Sequence, residues 1–220
     1  MRAVRLLREA LTLPDVTDVI DCATGQGKHA QAFLSQDKHV VGIDLGRSFL
    51  RHSNYRHLKQ SFEKVSPEPA DLVWSCHTLE HVPNPGLMLT KFREWLKPDG
   101  WLAIAVPTNQ QDRIHIGHLS LWTPAHLMYN LVVNGWDCSG ARWYTEYCTI
   151  AVLLQKTDDI DFRGSTAMPT EKDWLNKYMP RKIIHEGDSW WPNNWHKETG
   201  DRVENPPYVN VGLNKPYRPA

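Results

Sequence analysis

Asp21, Gly25, Gly27 and Asp44 are the residues whose types and spacing point most directly to chemistry. Val19-Ile20-Asp21-Cys22-Ala23-Thr24-Gly25-Gln26-Gly27 reads as an apolar strand that runs into an acid and then a glycine-rich turn. Val40-Val41-Gly42-Ile43-Asp44 reads as a second short strand that also ends on an acid. Glycines let backbone approach a ligand closely, and the second acid can hold ribose hydroxyls, so the pair implies a pocket for a nucleoside-containing cofactor. Gly25 and Asp44 lie 19 residues apart, close to the ~20 expected within one βαβ unit. Taken alone, Gly25-Gln26-Gly27-Lys28-His29-Ala30 fits a relaxed dinucleotide fingerprint. Asp21 argues against that ligand. An acid at the strand end repels a pyrophosphate but can orient the amino group of a bound amino acid.

Proton transfer near neutral pH calls for histidine, whose ordinary pKa lies close to working pH. His77 and His81 follow the predicted fourth strand, and His115 and His118 follow the fifth. Ligands in open α/β sheets bind at that carboxyl edge of the strands. His77 and His115 are the candidate general bases. His81, inside Leu79-Glu80-His81-Val82, is expected to hydrogen-bond structurally. His77, Glu80 and His81 alone make too thin a ligand set, without a dense Asp/Glu cluster, so no metal site is expected.

The elements that must position these residues alternate along the chain. A helix over about 2–11 precedes a strand at 17–22, a helix at 28–36, a strand at 39–44 and a short helix from Gly46 to Ser53. A weak strand at 56–60, a clear one at Asp71–Cys76 and a helix at about 85–96 follow. Lys97-Pro98-Asp99-Gly100 is turn chemistry before the strand Trp101–Val106. Thr123-Pro124 supplies an N-cap and a proline at N1 for a helix to about Asn134. Runs at about 136–143 and 147–154 lack an intervening helix and should pair antiparallel. The reading is an α/β fold: a Rossmann-like, doubly wound, mostly parallel seven-stranded sheet with an antiparallel last strand. It occupies residues 1–156. Residues 157–220 form an irregular Trp/Pro-rich extension with a helix near 170–178, expected to pack on the domain or on a neighbouring subunit.

With these segments in view, the chain resembles the class I S-adenosylmethionine-dependent methyltransferases of the small-molecule group. The resemblance rests on Val19–Gly27, Gly42-Ile43-Asp44, the run from Asp71 to Val82, and Leu96-Lys97-Pro98-Asp99-Gly100-Trp101-Leu102. His118-Leu119-Ser120-Leu121-Trp122-Thr123-Pro124 is similar to the stretch that opens the next helix in that group. The resemblance implies S-adenosylmethionine as cofactor, with Asp21, Ala23, Gly25 and Gly27 around its methionine part. It further implies Asp44 on the ribose diol, Leu45 beside the adenine, and Phe62 and Cys76 as further cofactor contacts. Two departures stand out: Cys22-Ala23-Thr24 replaces a stretch that often holds a further glycine, and Ser61-Phe62-Glu63 lies where an acid usually meets the adenine amino group. Methyl transfer to an O or N of a small molecule is the implied reaction. A nucleic-acid base methyltransferase, a dinucleotide-binding reductase and a non-catalytic scaffold remain as alternatives.

Composition narrows these alternatives. Lys+Arg and Asp+Glu both total 25 in 220 residues, so the net charge is zero, whereas nucleic-acid-binding domains usually carry a basic excess. Asn205-Pro206-Pro207-Tyr208 spells the tetrapeptide with which amino-methyltransferases of DNA bases hold their target. It lies far beyond the last predicted strand, where a polyproline-like turn is the better reading. The four cysteines form no CxxC pair, as expected for reduced thiols in a cytoplasmic protein. No apolar run approaches the ~18 residues of a membrane span. Tryptophan is abundant, at ten residues, and Trp190, Trp191 and Trp195 make the extension a candidate surface for self-association.

Overall fold

The computed structural model describes residues 3–108, 115–146, 148–158, 160 and 172–180. Seven strands form one sheet: β1 (Asp18–Cys22), β2 (His39–Asp44), β3 (Tyr55–Lys59), β4 (Ala70–Cys76), β5 (Leu96–Pro107), β6 (Arg142–Glu146) and β7 (Thr149–Gln155). Their order is β3-β2-β1-β4-β5-β7-β6. The first five run parallel, and β7 is antiparallel to both β5 and β6. The expected hairpin closes the sheet, and the chain reverses its winding direction between the neighbouring strands β1 and β4.

Among the described residues five α-helices cover both faces: α1 (Val4–Leu11), α2 (Lys28–Leu34), α3 (Pro85–Glu94), α4 (Pro124–Val133) and α5 (Lys172–Tyr178). Strand side chains alternate between faces, which divides the interior into two apolar clusters. Val19, Leu72, Trp74 and Leu153 pack with Leu6 and Leu7 of α1 and Phe33 of α2. Ile20, Val73, Val152 and Leu154 point the other way, toward Leu89 and Phe92 of α3 and Leu127 and Leu131 of α4. Leu175 and Met179, from α5 and the residue after it, enter this second cluster. The two helices that begin with proline, α3 and α4, are capped by side chains: Asn84 accepts from Leu87 N–H at 3.0 Å, and Thr123 accepts from His126 N–H at 3.2 Å.

Three local expectations change. The segment Gly46–Ser53 is not helical. Asp44 Oδ1 captures the Gly46 N–H at 2.7 Å, and Ser48 Oγ captures the Leu50 N–H at 3.2 Å. Such local side-chain acceptors compete with helical hydrogen bonds. The strand expected at 136–143 begins only at Arg142. Trp136 and Cys138 are fully buried, and Cys138 donates its N–H to Tyr178 O at 2.9 Å, so this run meets α5 rather than a strand. Strand five starts at Leu96, before the expected turn. Ala70 pairs with Leu96 and Leu72 with Trp101, so Lys97–Gly100 is accommodated as a bulge, with Asp99 at φ +58°.

Candidate functional site

The carboxyl edge at β1, β2 and β4 gathers most of the residues singled out by sequence. β1 ends at Cys22, and Ala23, Gly25 and Gly27 follow with φ of +58°, +52° and +74°. Left-handed backbone suits glycine and strains alanine, so the turn leads straight into α2 only because two of the three positions lack a Cβ. Thr24 N–H donates to Ile43 O at 3.1 Å, and Gly27 N–H to Thr24 O at 2.8 Å. The 46–53 loop lies over this turn: a Cβ built on Gly27 would meet Leu50 Cδ2 at 3.2 Å.

Two carboxylates flank the turn in different settings. Asp21 is 2% exposed and accepts from Thr24 Oγ1 at 2.7 Å. Burial pushes its pKa up to about 7; the bonds from Thr24 and the Ala30 N–H pull it down, and nearby Asp44 pushes it up. Asp44 accepts from Gly25 N–H at 2.9 Å and from Gly46 N–H at 2.7 Å. A carboxylate offers about four lone-pair directions, so Asp44 retains two for further donors. Beside it Leu45 is 72% exposed, and Phe49 is 87% exposed.

Phe49 is not among the residues singled out by sequence; it lies in Gly46–Ser53, the segment expected to be helical. Phe62 is half-buried and packs on the cluster containing Ile43 and Val65. Cys76 is half-buried at the end of β4, paired with Ala105. None of the four cysteines is disulfide-bonded; Cys22 and Cys138 are buried, and burial pushes both thiols far up.

The histidines fall beyond β4 and β5. His77 has φ +54°, and its N–H donates to Ala105 O at 2.8 Å. Its Nε2 lies 3.1 Å from Thr149 Oγ1, and its Nδ1 lies 3.3 Å from Glu80 Oε1. His81 Nδ1 bonds Gly117 O at 2.8 Å. His115 is exposed, with its ring centroid 5.2 Å from that of His118. Burial pulls the His118 pKa down, Glu80 raises it, and the neighbouring histidines lower it. A cavity of about 660 Å³ lies at the opposite edge, between the start of β5 and the end of β7, remote from these residues. Trp190, Trp191, Trp195 and Asn205-Pro206-Pro207-Tyr208 lie outside the described residues.

A buried acid at the end of β1, a left-handed glycine turn and an acid at the end of β2 are thus joined at a topological switch point. Against known proteins, the family described as a methyltransferase domain matches residues 2–136. The chain belongs to that family. Among curated relatives of this methyltransferase-domain chain, the ubiquinone biosynthesis O-methyltransferase of Nitrosospira multiformis is 32% identical over 98 residues, covering 39% of this chain and 41% of that protein. The trans-aconitate 2-methyltransferase of an Azoarcus species is 25% identical over 122 residues, covering 52% of this chain and 48% of the relative. The chain thus spans less than half the length of these relatives.

Many solved structures share the fold. The 1,6-didemethyltoxoflavin-N1-methyltransferase of Burkholderia thailandensis, bound to 1,6-didemethyltoxoflavin and S-adenosylhomocysteine, has a TM-score of 0.58 at 20% identity, covering 71% of this chain and 82% of that one. The N-methyltransferase NodS of Bradyrhizobium japonicum, in complex with S-adenosylhomocysteine, has a TM-score of 0.56 at 14% identity, covering 71% and 86%. Among the described residues no helix is long and apolar enough to cross a membrane.

Proposed function

We propose that this chain transfers a methyl group from S-adenosylmethionine to an oxygen or nitrogen of a small-molecule acceptor. The observation that carries this reading is the cradle in which Asp44 holds Gly25 N–H at 2.9 Å while Asp21 lies buried on the adjoining strand. The donor fits these residues. A buried carboxylate held near pH 7 gains from a nearby ammonium, and the methionine part carries one. Asp21, Ala23, Gly25 and Gly27 surround that part, and Asp44 offers its two remaining acceptor directions to the ribose diol. Exposed Leu45 and Phe49 give apolar surface for the adenine; Phe62 and Cys76 border the same cofactor.

When bound, the cofactor supplies an electrophilic methyl on a sulfonium. The protein's share is in-line placement of the acceptor and exclusion of water. For a hydroxyl acceptor a base is also needed, and His77 and His115 are the candidates. His77 is the better placed, because its contact with Thr149 Oγ1 holds its ring at the end of β4, whereas His115 is exposed. The balanced charge supports a small acceptor over nucleic acid. A cytoplasmic setting belongs to the same reading, supported by four cysteines without a disulfide.

Calorimetric titration with S-adenosylhomocysteine and, separately, with NADH tests this directly. Saturable binding of the first and none of the second is expected. Binding of NADH alone would replace the reading with a reductase, and binding of neither would leave a scaffold.

A further inference from the structure

Glu80 is 0% exposed, and neither of its carboxylate oxygens accepts a hydrogen bond among the described residues. A buried carboxylate in that condition is costly, and such groups are normally paired or bound to a metal. Its polar neighbours are imidazoles: His77 Nδ1 at 3.3 Å and His81 Nε2 at 3.7 Å from Oε1. His81 explains why these do not suffice. A backbone carbonyl only accepts, so the 2.8 Å contact with Gly117 O places a proton on His81 Nδ1. Nε2 is then the ring atom left to face Glu80 Oε1, at 3.7 Å. That separation is wider than a hydrogen bond, and a shared cation would fit between the two atoms.

His118 completes the group. Glu80, His81 and His118 can each present one ligand atom such that all three lie within 4.8 Å of one another. The His81 and His118 rings sit 4.9 Å apart at 85°. Leu119 N–H bonds Glu80 O at 2.7 Å, which holds the loop carrying His118 over the Glu80–His81 turn. The His81–Gly117 bond also matches the outer shell typical of metal-bound histidine, whose second nitrogen donates to a carbonyl or carboxylate.

We propose that Glu80, His81 and His118 form a site for a borderline divalent cation, with Zn²⁺ the best fit. One carboxylate and two imidazoles suit Zn²⁺, leaving a fourth position for water, whereas Mg²⁺ and Ca²⁺ prefer all-oxygen shells. The ion fastens the loop at His118 to the sheet edge at Glu80. The absence of a metal site expected from sequence rested on His77, Glu80 and His81 alone. The third ligand comes from a distant loop.

The test is calorimetric titration of untagged, chelator-treated full-length chain with zinc chloride, then with magnesium chloride. One Zn²⁺ per chain is expected, with affinity at least tenfold weaker in His118→Ala and in Glu80→Gln and unchanged in His39→Ala at the far edge of the sheet. Cobalt chloride should give the visible absorption bands of a low-symmetry, four-coordinate ion in the wild type and lose them in His118→Ala. Circular dichroism checks the fold of each variant; His118 lies on a loop, so its variant keeps the test decisive if Glu80→Gln fails to fold. The proposal fails if the wild type binds no zinc, if His118→Ala binds it as tightly as the wild type, or if equimolar Mg²⁺ displaces it.

Discussion

Gly25 donates its N–H to Asp44 Oδ2 at 2.9 Å, tying the turn after β1 to the end of β2. The same carboxylate holds Gly46 N–H at 2.7 Å, so one side chain sets two loops around the proposed cofactor pocket. Asp44→Ala frees both backbone donors and removes the acceptor for the ribose diol. Affinity for S-adenosylhomocysteine should fall about 10- to 100-fold, the loss of one or two charge-assisted hydrogen bonds. Calorimetry on a variant with wild-type circular dichroism decides; a change within twofold refutes the role.

Asp21 makes both stability and cofactor affinity depend on pH. Its carboxyl holds a proton up to about pH 7 in the folded chain, against an ordinary value of 3.8. Between those values the native state binds more protons than the unfolded state, so the contribution of Asp21 to stability declines as pH rises from about 4 to 7. A ligand ammonium favours the carboxylate, so affinity for S-adenosylhomocysteine should rise up to about tenfold between pH 6 and 8. Asp21→Asn should flatten that dependence. A slope that persists in the variant would assign it elsewhere.

His77→Asn is expected to lower kcat by about 100-fold or more for a hydroxyl acceptor, the range for loss of a general base. Affinity for S-adenosylhomocysteine should stay within about threefold, since the ring acts on the acceptor's proton. An unchanged kcat would pass the role to His115, tested by His115→Ala in the same assay.

Gly42 has no room for a side chain. A Cβ there would press on the Tyr55 hydroxyl and approach Thr24 Cγ2 to 3.0 Å. Gly42→Ala should destabilise the fold by about 1–3 kcal/mol through overpacking. Tyr55→Phe in the same chain should recover part of that loss in urea denaturation, because it removes the nearest atom. Full stability in the single variant would contradict the close approach.

Asp71 anchors the amino edge of the sheet. Burial alone would raise its pKa, but Asp18 N–H, the Lys97 ammonium, and the N–H and hydroxyl of Thr17 hold it down to about 2. A lowered carboxyl contributes stability that is present above its ordinary value of 3.8 and lost as pH falls through about 2. After allowance for solvent screening this is worth about 1–2 kcal/mol. Lys97→Ala should therefore move the midpoint of acid unfolding to higher pH, as followed by circular dichroism.

Much of the scaffold was legible because its signals are local. His39–Asp44 was read with the bounds it has, since its apolar run starts and stops within the strand. Thr123-Pro124 opens α4 as read, because a cap and an N1 proline act within one turn. Gly46–Ser53 is not the short helix expected, because the Asp44 and Ser48 side chains capture its backbone donors. Trp136 and Cys138 look like strand residues on hydropathy, but burial against α5 is a contact with a segment about 40 residues away.

By itself the sequence determined the parallel sheet, the acid–glycine–acid arrangement of Asp21, Gly25 and Asp44, and the position of four histidines beyond the strand ends, because each follows from periodicity and short spacing. Tertiary structure alone decided that Asp44 holds Gly25 N–H, that Asp21 is desolvated enough to keep its proton to about pH 7, and that His118 meets Glu80 and His81. Those are properties of packing between distant segments. Burial and the pairing of polar atoms are fixed only when the whole sheet edge has been assembled.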